Sequence, residues 1–231
     1  MITATALMTI RIRTVTIMPT DPRLLTLAQW LSPSFPVGAF AFSHGLETAV
    51  QSGWVTDADT LQEWLHDVLC QGTGRADAIW IRAAMPADAD TLGMLDAQAR
   101  AYAASAERLR EALRQGAAFA QTANAVWALD VPSVSLPLAV GAAAGQMGMR
   151  AGDTVALYLH AFVSNLTSSA IRLIPLGQTE GQKVLAALTP VCARMADETR
   201  GLTPDDIHST CFLSDIAAMR HETLKTRLFQ S

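Results

Sequence analysis

Two short clusters in this chain carry side chains able to ligate a metal. His44 and Glu47 stand three residues apart, as do His208 and Cys211, with Asp215 four further on. On a helix that spacing puts a cluster on one face, where imidazole, thiolate and carboxylate can share a divalent ion. A closed site needs about four ligands. Neither cluster supplies a fourth, so each is a candidate for transient metal contact, with capping or core packing as the alternative. Ser43-His44 sets a hydroxyl beside a base, but adjacent helical residues point about 100° apart and make a poor nucleophile pair. No Gly-x-Ser-x-Gly elbow is present. His221-Glu222 is followed by no second histidine, which removes helical zinc-hydrolase chemistry. Gly72-Thr73-Gly74 continues as Arg75-Ala76-Asp77, and no phosphate-binding GxxxxGK[ST] occurs. These failures point to a chain that is not an enzyme, needs no cofactor and does not itself hydrolyse nucleotides.

The elements that position these residues read as helices. Asp21-Pro22 is an N-cap followed by proline at the first helical position. Leu24, Leu27, Ala28 and Leu31 then mark one apolar face before Pro33 stops the helix. A second helix is predicted from Phe42 or Ser43 to Gly53, and a third on the stripe Leu61, Trp64, Leu65, Val68 and Leu69. Others are predicted over Ala76 to Ala84, Thr91 to Ala128 with a break near Ala104–Ser105, and Pro137 to Met149. Gly141, Gly145, Gly148 and Gly152 recur at helical spacing as a smooth stripe for close packing. Thr154 to Ile174 is apolar almost all round, as in a buried central helix, yet carries Asn165, Thr167, Ser168, Ser169 and Arg172. Those polar groups need partners, in an internal network or along a passage or partner surface. Val184, Leu188, Val191, Cys192 and Met195 stripe the next helix, and Thr203-Pro204-Asp205-Asp206 opens another. No strand alternation appears after residue 20. The expected fold is all-α, a single-domain bundle of about eight to ten helices around a buried central one.

Composition bounds the function. Half of the 231 residues are hydrophobic and 16% are charged, enough for a sizeable core and too apolar for disorder. A net charge of −4 with only two lysines, Lys183 and Lys225, argues against nucleic acid. Cys70, Cys192 and Cys211 are odd in number and far apart, reading as free thiols in a reducing cytoplasm. No run of about 20 apolar residues suggests a membrane span. Residues 1–20 are expected to form a disordered extension, of vector or upstream-start origin, with Met8 and Met18 as alternative initiators. Residues 21–231 are expected to form the domain.

Three blocks carry a resemblance. Ser32-Pro33-Ser34-Phe35-Pro36-Val37-Gly38-Ala39-Phe40-Ala41-Phe42-Ser43-His44-Gly45-Leu46-Glu47 resembles the signature of the UreF family of urease accessory proteins. Asn165 to Gln182 and the tail His221-Glu222-Thr223-Leu224-Lys225-Thr226-Arg227-Leu228-Phe229-Gln230-Ser231 resemble two further blocks of that family, in the same order. The resemblance implies an all-helical, dimeric, non-enzymatic adaptor in the cytoplasm. It would bridge a UreD-type (UreH-type) scaffold and a UreG-type GTPase, so that nickel reaches apo-urease. His221, Glu222, Leu224, Arg227, Leu228, Phe229 and Ser231 would face the UreD-type partner. Ser32, Pro33, Phe35, Pro36, Gly38, Phe42, Ser43, His44, Gly45 and Glu47 would lie at or near the dimer and GTPase surface.

The chain departs from the family at Arg110-Glu111-Ala112-Leu113, which keeps half of an Arg-Glu-x-Ser-like patch, and at Phe42, a tyrosine in several members. From the residues alone the tail suits docking, because Leu224, Leu228 and Phe229 are apolar among polar neighbours. Its alternative is packing on its own bundle. Two other roles stay open: regulation of the GTPase's hydrolysis, and nickel binding as a metallochaperone.

Overall fold

Asp21 caps the first helix, its side chain accepting the Arg23 N–H, and Pro22 follows where a missing donor is harmless. That helix, α1 (Pro22–Trp30), is the first of ten among residues 20–230, the part of the chain that this computed structural model describes. Residues 1–19, all but the last of the stretch expected to be an extension, and Ser231 lie outside the described residues. The other helices are α2 (Leu46–Gln51), α3 (Ala58–Gln71), α4 (Thr73–Ala84), α5 (Ala89–Ala101), α6 (Ala106–Trp127), α7 (Leu136–Gln146), α8 (Ala151–Leu173), α9 (Gln178–Glu198) and α10 (Phe212–His221). Two 3-10 turns, Ala39–Ala41 and Pro204–Asp206, complete the regular structure, and no strand occurs among the described residues. The fold is an all-α bundle.

The long helix α8 is the hub, packing on α9, α4, α3, α2 and α1. Val155, Leu159, Val163, Leu166 and Ala170 form its buried stripe, while Ser168 and Arg172 face outward. The element buried on all sides is instead α7, where every residue from Pro137 to Ala144 is buried. Small side chains permit this: a Cβ on Gly145 would lie 2.0 Å from the Met85 carbonyl oxygen, and one on Gly141 2.4 Å from that of Ile81. The stripe stops there, since Gly148 ends the helix at φ +61° and Gly152 faces open space. Trp30 meets the rings of Phe119 and Trp127 edge-on, at 5.4 and 5.5 Å. Phe35 packs on the same Phe119, which pins the proline-rich connection to the core. Each such buried large side chain contributes about 1.5–3 kcal/mol.

Two helices start later than expected. The second helix starts at Leu46, because Phe42 is extended and both His44 (φ +58°) and Gly45 (φ +77°) are left-handed. Thr203 and Asp206 cap only the 3-10 turn, and the last helix begins at Phe212. The long helix predicted over Thr91 to Ala128 breaks where expected, at Tyr102–Ser105, where Ser105 accepts the Arg108 N–H and starts α6.

Candidate functional site

The proline-rich connection, the end of α8 and the tail converge on one side of the bundle. Gly45 starts this convergence. A Cβ there would stand 2.7 Å from the Ala218 backbone nitrogen, so only glycine lets α10 lie this close to α2. The approach brings Glu47, in the first turn of α2, beneath the tail. One oxygen of the buried Glu47 carboxylate accepts the Leu228 N–H (2.7 Å) and the other the Phe229 N–H (3.0 Å). His221, fully buried at the end of α10, has its Nε2 3.4 Å from Glu47 Oε2 and donates through Nδ1 to Glu107 Oε2 at 2.7 Å. Arg227 donates to the other Glu107 oxygen at 2.5 Å. Burial pushes the Glu107 carboxyl up, but the bonds from His221 and Arg227 outweigh it and hold the group below its ordinary value.

The tail is tied at further points. Glu222 Oε1 accepts the N–H groups of Ala106 (2.7 Å) and Glu107 (3.3 Å), satisfying free donors at the start of α6. Gln230 donates its N–H to the Ala41 carbonyl at 2.8 Å and accepts from Arg114 at 3.2 Å. Phe229 is buried, with the Arg172 guanidinium 4.6 Å from its ring centre, a cation–π contact. Leu224 is half-buried, and Leu228 and Arg227 are exposed. Beyond His221 the described tail forms turns, so Leu224 and Leu228 do not share a helix face. Ser231 lies outside the described residues.

The polar residues of α8 serve the connection. Asn165 donates to the Ala39 carbonyl (3.1 Å), Ser169 lies 3.4 Å from that of Phe42, and Arg172 the same from that of Phe40. Thr167 and Ser168 bond back into their own helix. Within the connection, Phe35, Phe42, Ser43, His44, Gly45 and Glu47 are buried in the chain itself. Pro33 and Pro36 are exposed and Ser32 and Gly38 half-buried. Phe40 is 71% exposed.

His44 and Glu47 do not form a ligand pair. His44 Nε2 sits 3.1 Å from Thr73 Oγ1, its ring meets Phe162 edge-on, and its buried Nδ1 has no partner. Burial, helped by the charge of Arg108, drives its pKa well below the ordinary range and keeps the ring neutral. His208 stands against the Asp206 carbonyl, and burial pushes the Cys211 thiol up to about 11. Among the described residues no group of three or more His, Cys, Asp or Glu is set to hold a metal. A second group has the buried Tyr158 donating to the half-buried Asp77 at 2.8 Å; desolvation carries Asp77 to about 7 even against that bond. Glu107, Asp77 and Tyr158 gave no sequence signal, since each finds its partner across about 80 or more residues of chain. Arg108 bonds to Glu111, which also accepts from Gln115, inside the motif where the family pattern is incomplete.

The model of the UreF family matches residues 55–189. The urease accessory protein UreF of Roseobacter denitrificans is 48% identical over 215 residues, covering 93% of this chain and 96% of its own length. That of Cereibacter sphaeroides KD131 is 50% identical over 209 residues, with coverages of 90% and 98%. That of Ruegeria pomeroyi is 46% identical over 214 residues, with coverages of 92% and 99%.

Proposed function

This chain belongs to the UreF family of urease accessory proteins, and on that premise we propose that it is a cytoplasmic adaptor through which a UreD-type scaffold and a UreG-type GTPase meet at apo-urease. Its part in urease maturation is that of a non-enzymatic chaperone. No helix among the described residues is long and apolar enough to cross a membrane. The observation that carries the adaptor reading is the anchoring of the tail. Chain ends fray unless something holds them, and here Glu47, Glu107, Ala41 and Arg114 hold this one in a fixed shape. The anchoring leaves Leu228 (56% exposed) on a tail that Gln230 ties to the Phe40 turn through the Ala41 carbonyl, and these two exposed apolar side chains are the surface we assign to the UreD-type partner.

A second surface belongs to α10. Ser214, Ala217, Ala218 and His221 face inward, while Phe212, Leu213, Ile216 and Met219 are exposed in a row. The row is uncharged and sits on the helix that packs against α2, next to the family-like connection. We assign it to the homodimer contact.

Leu228→Asp tests the first surface, because the backbone N–H of residue 228 still reaches Glu47 and the fold is kept. The expected result is loss of co-purification with the UreD-type partner while the helical content stays. Undiminished binding would place the contact elsewhere. Phe212→Asp tests the second, with sedimentation velocity expected to show monomers where the unaltered chain shows dimers.

A further inference from the structure

On a chain whose net charge is −4, the tail-side face is an exception. Arg110 and Arg114 of α6, Arg172 of α8, and Lys225 and Arg227 of the tail are all exposed there. Contacts set four of them around one centre. Arg172 lies over the Phe229 ring, Arg114 holds Gln230, Arg227 bonds Glu107, and Arg110 reaches the same carboxylate at 3.5 Å. Lys225 stands two residues before Arg227 in the same tail. Two carboxylates of this region, Glu47 and Glu107, are buried under the tail, and the third, Glu222, is exposed but bonded to the N–H groups at the start of α6. Five cations against that one capped carboxylate leave the face net cationic, with Phe40 and Leu228 as exposed apolar side chains beside the charges.

We propose that this face receives a carboxylate-rich surface of a partner protein, read by Arg110, Arg114, Arg172, Lys225 and Arg227. This rests on the adaptor reading and adds the chemistry of the partner to it. Arginine's planar fork matches a carboxylate, and exposed charges of one sign steer an oppositely charged partner and fix its register. A protein surface fits better than a nucleic acid. The cations surround an apolar centre instead of tracking a line of phosphates, and the rest of the chain is acidic and would repel a polyanion.

The test compares the full chain with an Arg110→Glu, Arg114→Glu, Lys225→Glu variant. Both are titrated with the UreD-type partner, with polyglutamate and with a DNA duplex, at about 50 and about 500 mM NaCl. The unaltered chain is expected to bind the partner and polyglutamate, each at least about tenfold more weakly at the higher salt. The variant is expected to lose at least about tenfold at low salt and most of the salt dependence, with unchanged circular dichroism. A variant that binds the partner like the unaltered chain overturns the proposal and leaves the adaptor reading standing. So does a preference of the unaltered chain for DNA over polyglutamate. If the unaltered chain binds polyglutamate, the variant does not, and neither binds the partner, the adaptor reading falls and the acidic-surface proposal survives. Should the reversal unfold the chain, the salt series on the unaltered chain decides, and an affinity for the partner that ignores salt overturns the proposal.

Discussion

His44 and His221 are both buried and both flank Glu47, yet they live in opposite surroundings. His44 has one weak neighbour, Thr73, an aromatic edge and a partnerless Nδ1, and it stays neutral. His221 sits between the carboxylates of Glu47 and Glu107 and fastens the tail to the bundle. The sequence puts His44 beside Glu47, three residues apart; the fold gives that carboxylate to a histidine 174 residues away. Closeness in sequence suggested metal ligation, and closeness in space produced a strap. A histidine's role is thus set by which elements are packed over it.

The strap side of this comparison should break with the largest effect. Glu107→Ala takes the shorter of two carboxylate contacts from the buried His221, leaving only Glu47, and removes the partner of Arg227; breaking a buried pair from one side costs about 3–5 kcal/mol. Urea unfolding should show that loss, and the tail should become sensitive to proteolysis at Lys225 and Arg227. A destabilisation below about 1 kcal/mol would mean that the tail contributes little to the fold.

Next in size is the joint that allows the strap to form. Gly45→Ala must hold a left-handed φ of +77° and sets its Cβ against the Ala218 backbone. The backbone penalty alone is about 1–2 kcal/mol, and the clash adds to it by pushing α10 off α2. Because α10 carries His221, tail protection should fall together with stability. Intact protection would show that the tail holds independently of this helix pair.

The helical frame of both sites was legible because helices advertise themselves locally. Asp21-Pro22, the α3 stripe from Leu61 to Leu69 and the break at Ser105 all depend on residues within a few turns. The start of α2 was misplaced by three residues or more because two successive left-handed residues are imposed by α10 overhead, which no local pattern encodes. The strap was half legible: His221 and Arg227 stood in the family-like tail, but Glu107 became their partner only through a contact across more than 100 residues.

On the His44 side the effects should be small. Asparagine tolerates left-handed backbone better than most residues, so His44→Asn removes little beyond the Thr73 bond and the Phe162 contact, about 1 kcal/mol. Its pH dependence carries the sharper information. His44 is held below its ordinary 6.5, so its neutral form contributes stability above that pH, and the contribution is lost as the pH falls. The deficit of His44→Asn should therefore be larger at about pH 8 than at about pH 5. Asp77 runs the other way. Its carboxyl is raised from 3.8 to about 7, so its contribution is full below 3.8 and is lost as the pH rises through about 7. Asp77→Asn, which can still accept the Tyr158 hydroxyl, should gain on the unaltered chain between about pH 5 and about pH 8. Urea midpoints of the three proteins at both pH values check the pair. Two variants drifting in the same direction would show that at least one of the groups meets more solvent than its burial implies.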